Sequence, residues 1–517
     1  MGPSGSGKTT LLGAISGRLS QKFGHLKINE KVITDKTIRN ISAYIPQQNI
    51  FTETLTVLEH MTFMAALKLN KLDNKIIFKL VQQFGLDKNT LINNLSGGEK
   101  RKVALISELL CEPYVLFCDE ITTGLDSFNA MSVVKKLQDV SNTGKIVILT
   151  VHQPSSQLYE IFNNIILMAN GKLIFQGTKK EGAQFFEQLN FRCPASYNPS
   201  DFYLKCLSDQ DIQNNSFLMI FDTIGLNTLK PKEKIKKSIL FQLKWLLWRV
   251  FIDSKRNFNR QLTSYIILML SGLLITLSYT NITINSENSV QNIQGAILFI
   301  ISELIFSHMY YVIFVFPSEV NIYLFEKELY KPLPYFLSKF VSTLPYCFIN
   351  CFSYVVIYFI FLKFLNGFNY FFQMLSILYL TTVSSTAFGL CLSALFPTVK
   401  YIDLFIVPIE VLVMTLSGMW IKIDTVPTIF NLIKYISPFY FTFENLSILQ
   451  WNTVEIFNEC TNTTKLCIRN GQDVLHEFGF HSTNFEVNII YLHILTILYC
   501  LIGYIAMRIK ISKYSIY

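Results

Sequence analysis

LSGGEKRKVAL, Leu95 to Leu105, is the stretch that decides the fold. Ser96, Gly97 and Gly98 open a helix, and the unpaired N–H groups of a helix's first turn make an anion site. A second such site stands at the start of the chain. Gly2 to Thr9 spell Gly-x-x-x-x-Gly-Lys-Thr, with TTLLGAISG continuing as a helix. Gly2, Gly5 and Gly7 let the backbone approach phosphate oxygens, Lys8 would neutralise β/γ-phosphate charge, and the Thr9 hydroxyl would ligate Mg²⁺.

Further along, YVLFCDE (Tyr114–Glu120) reads as a buried strand ending in two carboxylates. Asp119 would hold Mg²⁺, and Glu120 is the candidate general base for an attacking water. KIVILTVHQPSS is another apolar strand, ending at His152, a candidate γ-phosphate sensor. TTGLDS, with Asp126, follows the carboxylate strand closely. Gln47, after the short strand ISAYIP, sits where a loop could sense Mg²⁺.

The order of phosphate loop, glutamine loop, LSGG signature, carboxylate strand, Asp loop and His loop resembles the ATP-binding cassette (ABC) superfamily. The stretch NIILMANGKLIFQGTKKEGAQFFEQLNFRCPASYNPSDFYL is similar to the G subfamily of ABC transporters, the white-type half-transporters in particular. That resemblance implies ATP and Mg²⁺ as cofactors. It places ATP against Gly2, Pro3, Ser4, Gly5, Ser6, Gly7, Lys8, Thr9, Thr10, Gln47, Ser96, Gly97, Gly98, Glu99 and Asp126. It gives Mg²⁺ to Thr9, Gln47 and Asp119, and catalysis to Glu120 and His152. In this superfamily the phosphate loop of one cassette and the LSGG motif of another sandwich each ATP. A chain with one copy of each implies a homo- or heterodimer with another G-subfamily half-transporter. Two positions depart from the subfamily pattern: Gln48-Asn49 stand where Asp-Asp is usual, and Ile121 follows Glu120 in place of Pro. Neither removes a ligand.

The 517 residues carry a formal charge of +9 and are 50% hydrophobic but only 16% charged. Apolar residues are concentrated after Leu262 in runs long enough to cross a bilayer at roughly 20 residues per helix. The surplus of Lys and Arg fits cytosolic loops of a membrane protein, and no motif points to nucleic acid. The expected fold class is an α/β P-loop NTPase cassette of ABC type followed by an all-α membrane domain of six spans. The expected division is a cassette over 1–206, a polar linker over 207–238, an amphipathic connecting helix over 239–261 and a membrane domain over 262–517. The spans are read at 262–280, 293–316, 341–362, 370–395, 402–420 and 488–507. Lys255, Arg256 and Arg260 precede the first, Lys327, Lys331 and Lys339 lie between the second and third, and Arg508, Lys510 and Lys513 follow the last. The positive-inside pattern then puts both termini in the cytosol. The membrane itself is read as the plasma membrane or that of an organelle such as a pigment granule.

This topology leaves 421–487 outside the cytosol. Cys460 and Cys467 there are expected to form a disulfide around a glycosylation sequon at Asn462. The apolar front of that loop, VPTIFNLIKYISPFYFTFENL, is expected to dip back into the membrane as the subfamily's re-entrant helices do. FEKELYKPLPYFLSK (Phe325–Lys339) resembles the subfamily's coupling segment. Glu303 and Glu410 fall inside spans two and five and, with Met419 and Trp420, are candidates to line a substrate cavity. The cargo expected from the resemblance is a small hydrophobic or amphipathic molecule. Pigment precursors, sterols and other lipids, and foreign compounds all fit. A cassette of this kind has a buried strand feeding Gly2. The expectation is therefore that Met1 marks an incomplete or truncated start, with weak ATP binding if the chain begins there. The alternative reading is an impaired or regulatory subunit that dimerises with a full-length half-transporter.

Overall fold

The stretch ending in Asp119 forms the middle strand of a three-stranded parallel sheet in the computed structural model. The structure describes residues 1–19, 24–28, 31–194, 197–207, 237–280, 287–362, 368–396, 398–420, 427, 434–452 and 470–513. The chain forms two units, dividing between Ser238 and Ile239. The polar linker falls almost wholly outside the described residues, as do Cys460, Asn462 and Cys467.

In the first unit α1 (Lys8–Ile15) follows the phosphate loop, and β1 (Leu26–Ile28) and β2 (Lys31–Ile33) form an antiparallel hairpin. Next come α2 (Asp35–Ile41), β3 (Ser42–Ile45), α3 (Val57–Lys68), α4 (Asn74–Gln83) and α5 (Gly97–Leu109). After them run β4 (Val115–Cys118), α6 (Ser127–Asn142), β5 (Ile146–Leu149) and α7 (Ser156–Ile161). A second hairpin, β6 (Asn164–Ala169) and β7 (Lys172–Thr178), leads to α8 (Lys179–Gln188) and α9 (Pro199–Cys206). The central sheet has the order β3-β4-β5, with Ile45 beside Cys118 and Cys118 beside Leu149. All four β4 residues are buried, as expected for a strand paired on both edges and covered on both faces. Val115 and Phe117 meet Leu12, Ile38, Ile41 and Tyr44 in one apolar cluster. That cluster fixes α1, and so the phosphate loop, against the sheet. The carboxyl ends of the strands, where open parallel sheets bind ligands, deliver residues 46, 119 and 150 to the same edge.

The second unit is helical. It comprises α10 (Ile239–Arg256), α11 (Phe258–Ser278), α12 (Glu287–Val312), α13 (Val315–Glu326), α14 (Pro332–Phe361) and α15 (Phe368–Leu395). Then follow α16 (Val399–Thr415), α17 (Pro438–Trp451), α18 (Gly471–Glu477) and α19 (Phe485–Lys513). Among the described residues five stretches are long and apolar enough to cross a membrane: Phe258–Ser278, Ser289–Glu326, Pro332–Phe361, Phe368–Leu395 and Ser482–Ser512. On α11 and α19 the outward Ile267, Leu270, Leu274, Ile490, Ile497 and Leu501 are all more than half exposed. Apolar stripes of that extent are at rest only against lipid or another apolar surface.

The fifth expected span, 402–420, needs correction. Its helix, α16, stops at Thr415 after 17 residues. The apolar sequence runs on, but Leu416 and Ser417 close a tightened last turn onto Leu412 and Met414. Gly418 then enters the left-handed region at φ 94°. Met419 and Trp420 therefore sit on a turn beyond the helix, Met419 against the bundle core and Trp420 65% exposed. The second expected span, 293–316, is longer than read, continuing through a break at Ile313–Phe314 into α13. Of the apolar front of the 421–487 loop, 426 and 428–433 lie outside the described residues, and its end enters α17, whose side chains are buried at nearly every position.

Several buried polar groups of this unit are paired across helices, which lowers the cost of holding them in a bilayer. Glu444 on α17 accepts from Asn484 (2.8 Å) and Asn488 (3.0 Å), Ser447 donates to Gln294 (2.9 Å), and the Thr381 and Thr442 hydroxyls meet at 2.8 Å. At the α10–α13 contact, Arg249 lies on both carboxylate oxygens of Glu326, 2.8 and 2.6 Å away, and Tyr330 donates to the same carboxylate at 2.5 Å.

Candidate nucleotide site

The phosphate loop is held from three directions. Gly2 packs so closely that a Cβ there would stand 2.4 Å from the Met168 carbonyl oxygen and 2.5 Å from the Ser6 hydroxyl. Gly7, the N-cap of α1, has φ 92°, which an L side chain adopts only under strain. The backbone of Met1 is joined to β6, its amino group donating to Ile166 O (2.6 Å) and its carbonyl accepting from Met168 N (3.0 Å). Lys8 is 6% exposed, and its ammonium donates to the carbonyls of Gly2 (2.8 Å) and Pro3 (2.9 Å). Burial lowers the Lys8 pKa from its ordinary value, while Glu120 and Asp119 act in the opposite direction. Ser4, Gly5 and Thr10 are exposed, and Pro3 and Thr9 half-buried.

Thr9 faces the end of β4, its hydroxyl donating to Asp119 Oδ1 at 3.1 Å. Asp119 is 2% exposed and also lies 3.4 Å from the Tyr44 hydroxyl. Glu120 is half-buried, with φ 43°, a left-handed backbone rare for a residue with a side chain. Its carboxylate accepts from the Gln47 amide (2.7 Å) and the Thr123 hydroxyl (3.2 Å). Thr9, Gln47, Asp119 and Glu120, spread over 112 positions of sequence, are thus one continuous set of contacts. An oxygen-rich cluster of a hydroxyl, an amide and a carboxylate suits a hard divalent cation such as Mg²⁺. His152 is two residues past Thr150 and half-buried.

The signature residues form a second set. Ser96 N-caps α5 in a capping box: its hydroxyl accepts from Glu99 N (3.3 Å), and the Glu99 carboxylate accepts from Ser96 N (2.9 Å). The first-turn N–H groups of Gly97 and Gly98 lie outside that exchange and have no carbonyl within the helix. Asp126 N-caps α6, its carboxylate accepting from the backbone and side-chain nitrogens of Asn129 at 2.8 and 2.6 Å. Those bonds hold its pKa below the ordinary carboxylate value. Asn129 also lines Gly98, where a Cβ would meet it at 3.0 Å. Among the described residues, no hydrogen bond joins the Ser96–Glu99 and Asp126–Asn129 group to the phosphate loop.

Four contributors escape a motif reading: Thr123, Tyr44, Arg101 and Thr150. Arg101, 5% exposed on α5, donates to the carbonyls of Pro46 (3.1 Å) and Gln47, tying the signature helix to the glutamine loop. Thr150 bonds to both Asp119 and the Glu120 backbone. Their signal in the sequence is only proximity to a motif: the partners of Tyr44, Arg101 and Thr150 lie far away in sequence, and Thr123 bonds to Glu120 only because of the local turn. In the helical unit the expected cavity residues are dispersed. Glu303 accepts from Ser271 on the neighbouring α11 at 2.7 Å, and Glu410 on α16 is half-buried beside Tyr310.

Comparison with known proteins agrees with both units. Residues 1–123 match the family described as ABC transporter, and residues 152–217 and 241–451 match families described as ABC-2 type transporter. The Drosophila melanogaster protein white is 30% identical, the alignment covering 99% of this chain and 81% of that protein. Protein scarlet of the same organism is 29% identical over 98% and 83%. The Caenorhabditis elegans ABC transporter ATP-binding protein/permease wht-3 is 30% identical over 99% and 88%.

Proposed function

The chain belongs to the white, brown and scarlet group of G-subfamily ABC half-transporters, and we propose that it exports a small hydrophobic or amphipathic molecule from the cytosol. It is a multi-pass membrane protein whose transport is coupled to ATP hydrolysis. Pigment precursors, sterols and other lipids, and foreign hydrophobic compounds are the cargo classes proposed. The termini face the cytosol, and the membrane is the plasma membrane or that of an organelle.

One observation carries the proposed chemistry: Asp119 and Glu120 leave the buried end of β4 directly against Thr9 and Gln47. Backbone N–H groups of residues 2–9 and Lys8 would cradle the ATP phosphates. Thr9, Asp119 and Gln47 would hold Mg²⁺, which supplies charge neutralisation at the β- and γ-phosphates. Glu120 would take a proton from the attacking water and His152 would contact the γ-phosphate. Ser96, Gly97, Gly98, Glu99 and Asp126 would serve the ATP of the opposite cassette, so activity requires a half-transporter partner, identical or different. The coupling role falls to the segment around Leu329 and Tyr330. The reading of the chain as an impaired or regulatory subunit is not favoured: the similarity to white, brown and scarlet runs over nearly the whole chain, and the contacts of Thr9 with Asp119 and of Gln47 with Glu120 support a working site.

The test is vanadate-sensitive ATPase activity of the purified full-length dimer. Glu120→Gln is expected to lower turnover by roughly 10²-fold or more with ATP still bound. Undiminished hydrolysis in that variant would sink the assignment of Glu120.

A further inference from the structure

We propose that Thr150 is the positioning residue of the hydrolytic site, setting the direction of both strand-end carboxylates through one hydroxyl. The proposal rests on the reading of Glu120 as general base. Parallel pairing of Cys118 with Leu149 brings residue 150 alongside residue 119, and Thr150 N donates to Cys118 O at 2.9 Å. Asp119 N still joins the sheet, donating to Ile45 O at 2.9 Å. The next N–H does not. Glu120 N donates instead to the Thr150 hydroxyl at 2.7 Å, and that hydroxyl donates its own proton to Asp119 Oδ1, also at 2.7 Å. A hydroxyl offers one donor and acceptor lone pairs, and both capacities are used here.

Glu120 needs such a restraint. At φ 43° its backbone is in a region strained for a residue with a Cβ, and such a state persists only where surroundings over-determine it. Thr150 is itself buried, 7% exposed, beside that backbone. Asp119 Oδ1 accepts from Thr9 as well, so one line of hydrogen bonds runs from the phosphate loop through Asp119 and Thr150 to the Glu120 backbone. Thr150 is two residues from His152, so this hydroxyl also ties the His loop to the carboxylates.

Valine has the shape of threonine without the hydroxyl. In the full-length protein reconstituted in lipid, with Mg-ATP as the only ligand, Thr150→Val is expected to lower kcat roughly tenfold or more, as sub-ångström misplacement of a reacting group does. ATP affinity should stay within about twofold, because the phosphate-loop N–H groups and Lys8 are untouched. Thr150→Ser, which restores both hydrogen bonds, is expected to return kcat to within about threefold of wild type. A merely structural role would lower the melting temperature without this split between kcat and affinity. If Thr150→Val does not assemble, Thr150→Cys, whose thiol is a weaker donor and acceptor, is measured in its place, and its kcat should fall below that of Thr150→Ser at unchanged ATP affinity. Glu120→Gln runs in parallel. Loss of turnover in Glu120→Gln beside unchanged kcat in Thr150→Val overturns the positioning role alone, as does a serine variant no better than valine. Full turnover in Glu120→Gln overturns the general-base reading and the positioning role with it.

Discussion

Replacing Arg249 with leucine tests how α10 is fixed to α13. The guanidinium and the Glu326 carboxylate have side chains only 6% and 4% exposed, and both carboxylate oxygens are engaged. Removing one partner of a buried pair costs about 3–5 kcal/mol, because the survivor is left charged and dry. Tyr330 still donates to Glu326 in the variant, and a retained hydrogen bond of about 1 kcal/mol reduces the expected loss to about 2–4 kcal/mol. At about 2–4 °C per kcal/mol for domains of comparable size, the helical unit should melt roughly 4–16 °C lower. Thermal unfolding of the purified protein, followed by a probe on α10, reads this directly. The same logic predicts recovery. The triple variant Arg249→Leu, Glu326→Leu, Tyr330→Phe removes the three polar groups of this cluster together, and apolar replacement of a buried pair is often neutral, so its melting point should return to within about 4 °C of wild type. If the triple variant melts no higher than Arg249→Leu, the loss is one of shape rather than of uncompensated charge, and the reasoning fails.

Gly2→Ala is expected to displace the phosphate loop, since its Cβ would stand 2.4 Å from the backbone oxygen of Met168, and nucleotide affinity measured by equilibrium binding should drop at least tenfold while the helical unit melts as before. Glu444→Ala removes the common acceptor of Asn484 and Asn488 inside the helical unit, and a loss of about 2–4 kcal/mol should appear as a lower melting point and reduced delivery to the membrane, with Glu444→Gln recovering part of it.

How far the sequence carries depends on whether a contact is local. The phosphate loop and the LSGG turn are legible because each is built from neighbours in sequence, glycines beside the phosphates and a capping serine three residues before its glutamate; the Asp119–Glu120 pair is legible because it ends an apolar strand. Thr150 and Arg101 are different. Their partners lie 30 and 54 positions away, on β4 and the glutamine loop, and only the register of β3, β4 and β5 brings them together. Hydropathy has the same limit in the helical unit. It identifies apolar runs, but the run through Leu416–Trp420 continues after the helix has ended, because a left-handed glycine turns the backbone without any loss of apolar character. Glu303 stands out by charge alone, yet its carboxylate is bonded to Ser271 across a helix–helix contact that no composition reveals.

The site itself is divided in a way that bears on assembly. The contacts around Thr9, Asp119, Glu120 and Gln47 are complete within one chain, down to the backbone N–H of the proposed general base. The signature residues are also well ordered, but with one another: Ser96 with Glu99, and Asp126 with Asn129 beside Gly98. Among the described residues no hydrogen bond joins this capped, partly exposed turn to its own phosphate loop, an arrangement that suits a ligand brought to it from outside. A second cassette presenting ATP meets that requirement, and the first cassette's phosphate loop then has the reciprocal need. Two hydrogen-bonded sets finished separately accord with the dimer proposed above, in which a mixed dimer of wild-type and Ser96→Ala chains should keep one competent site rather than none.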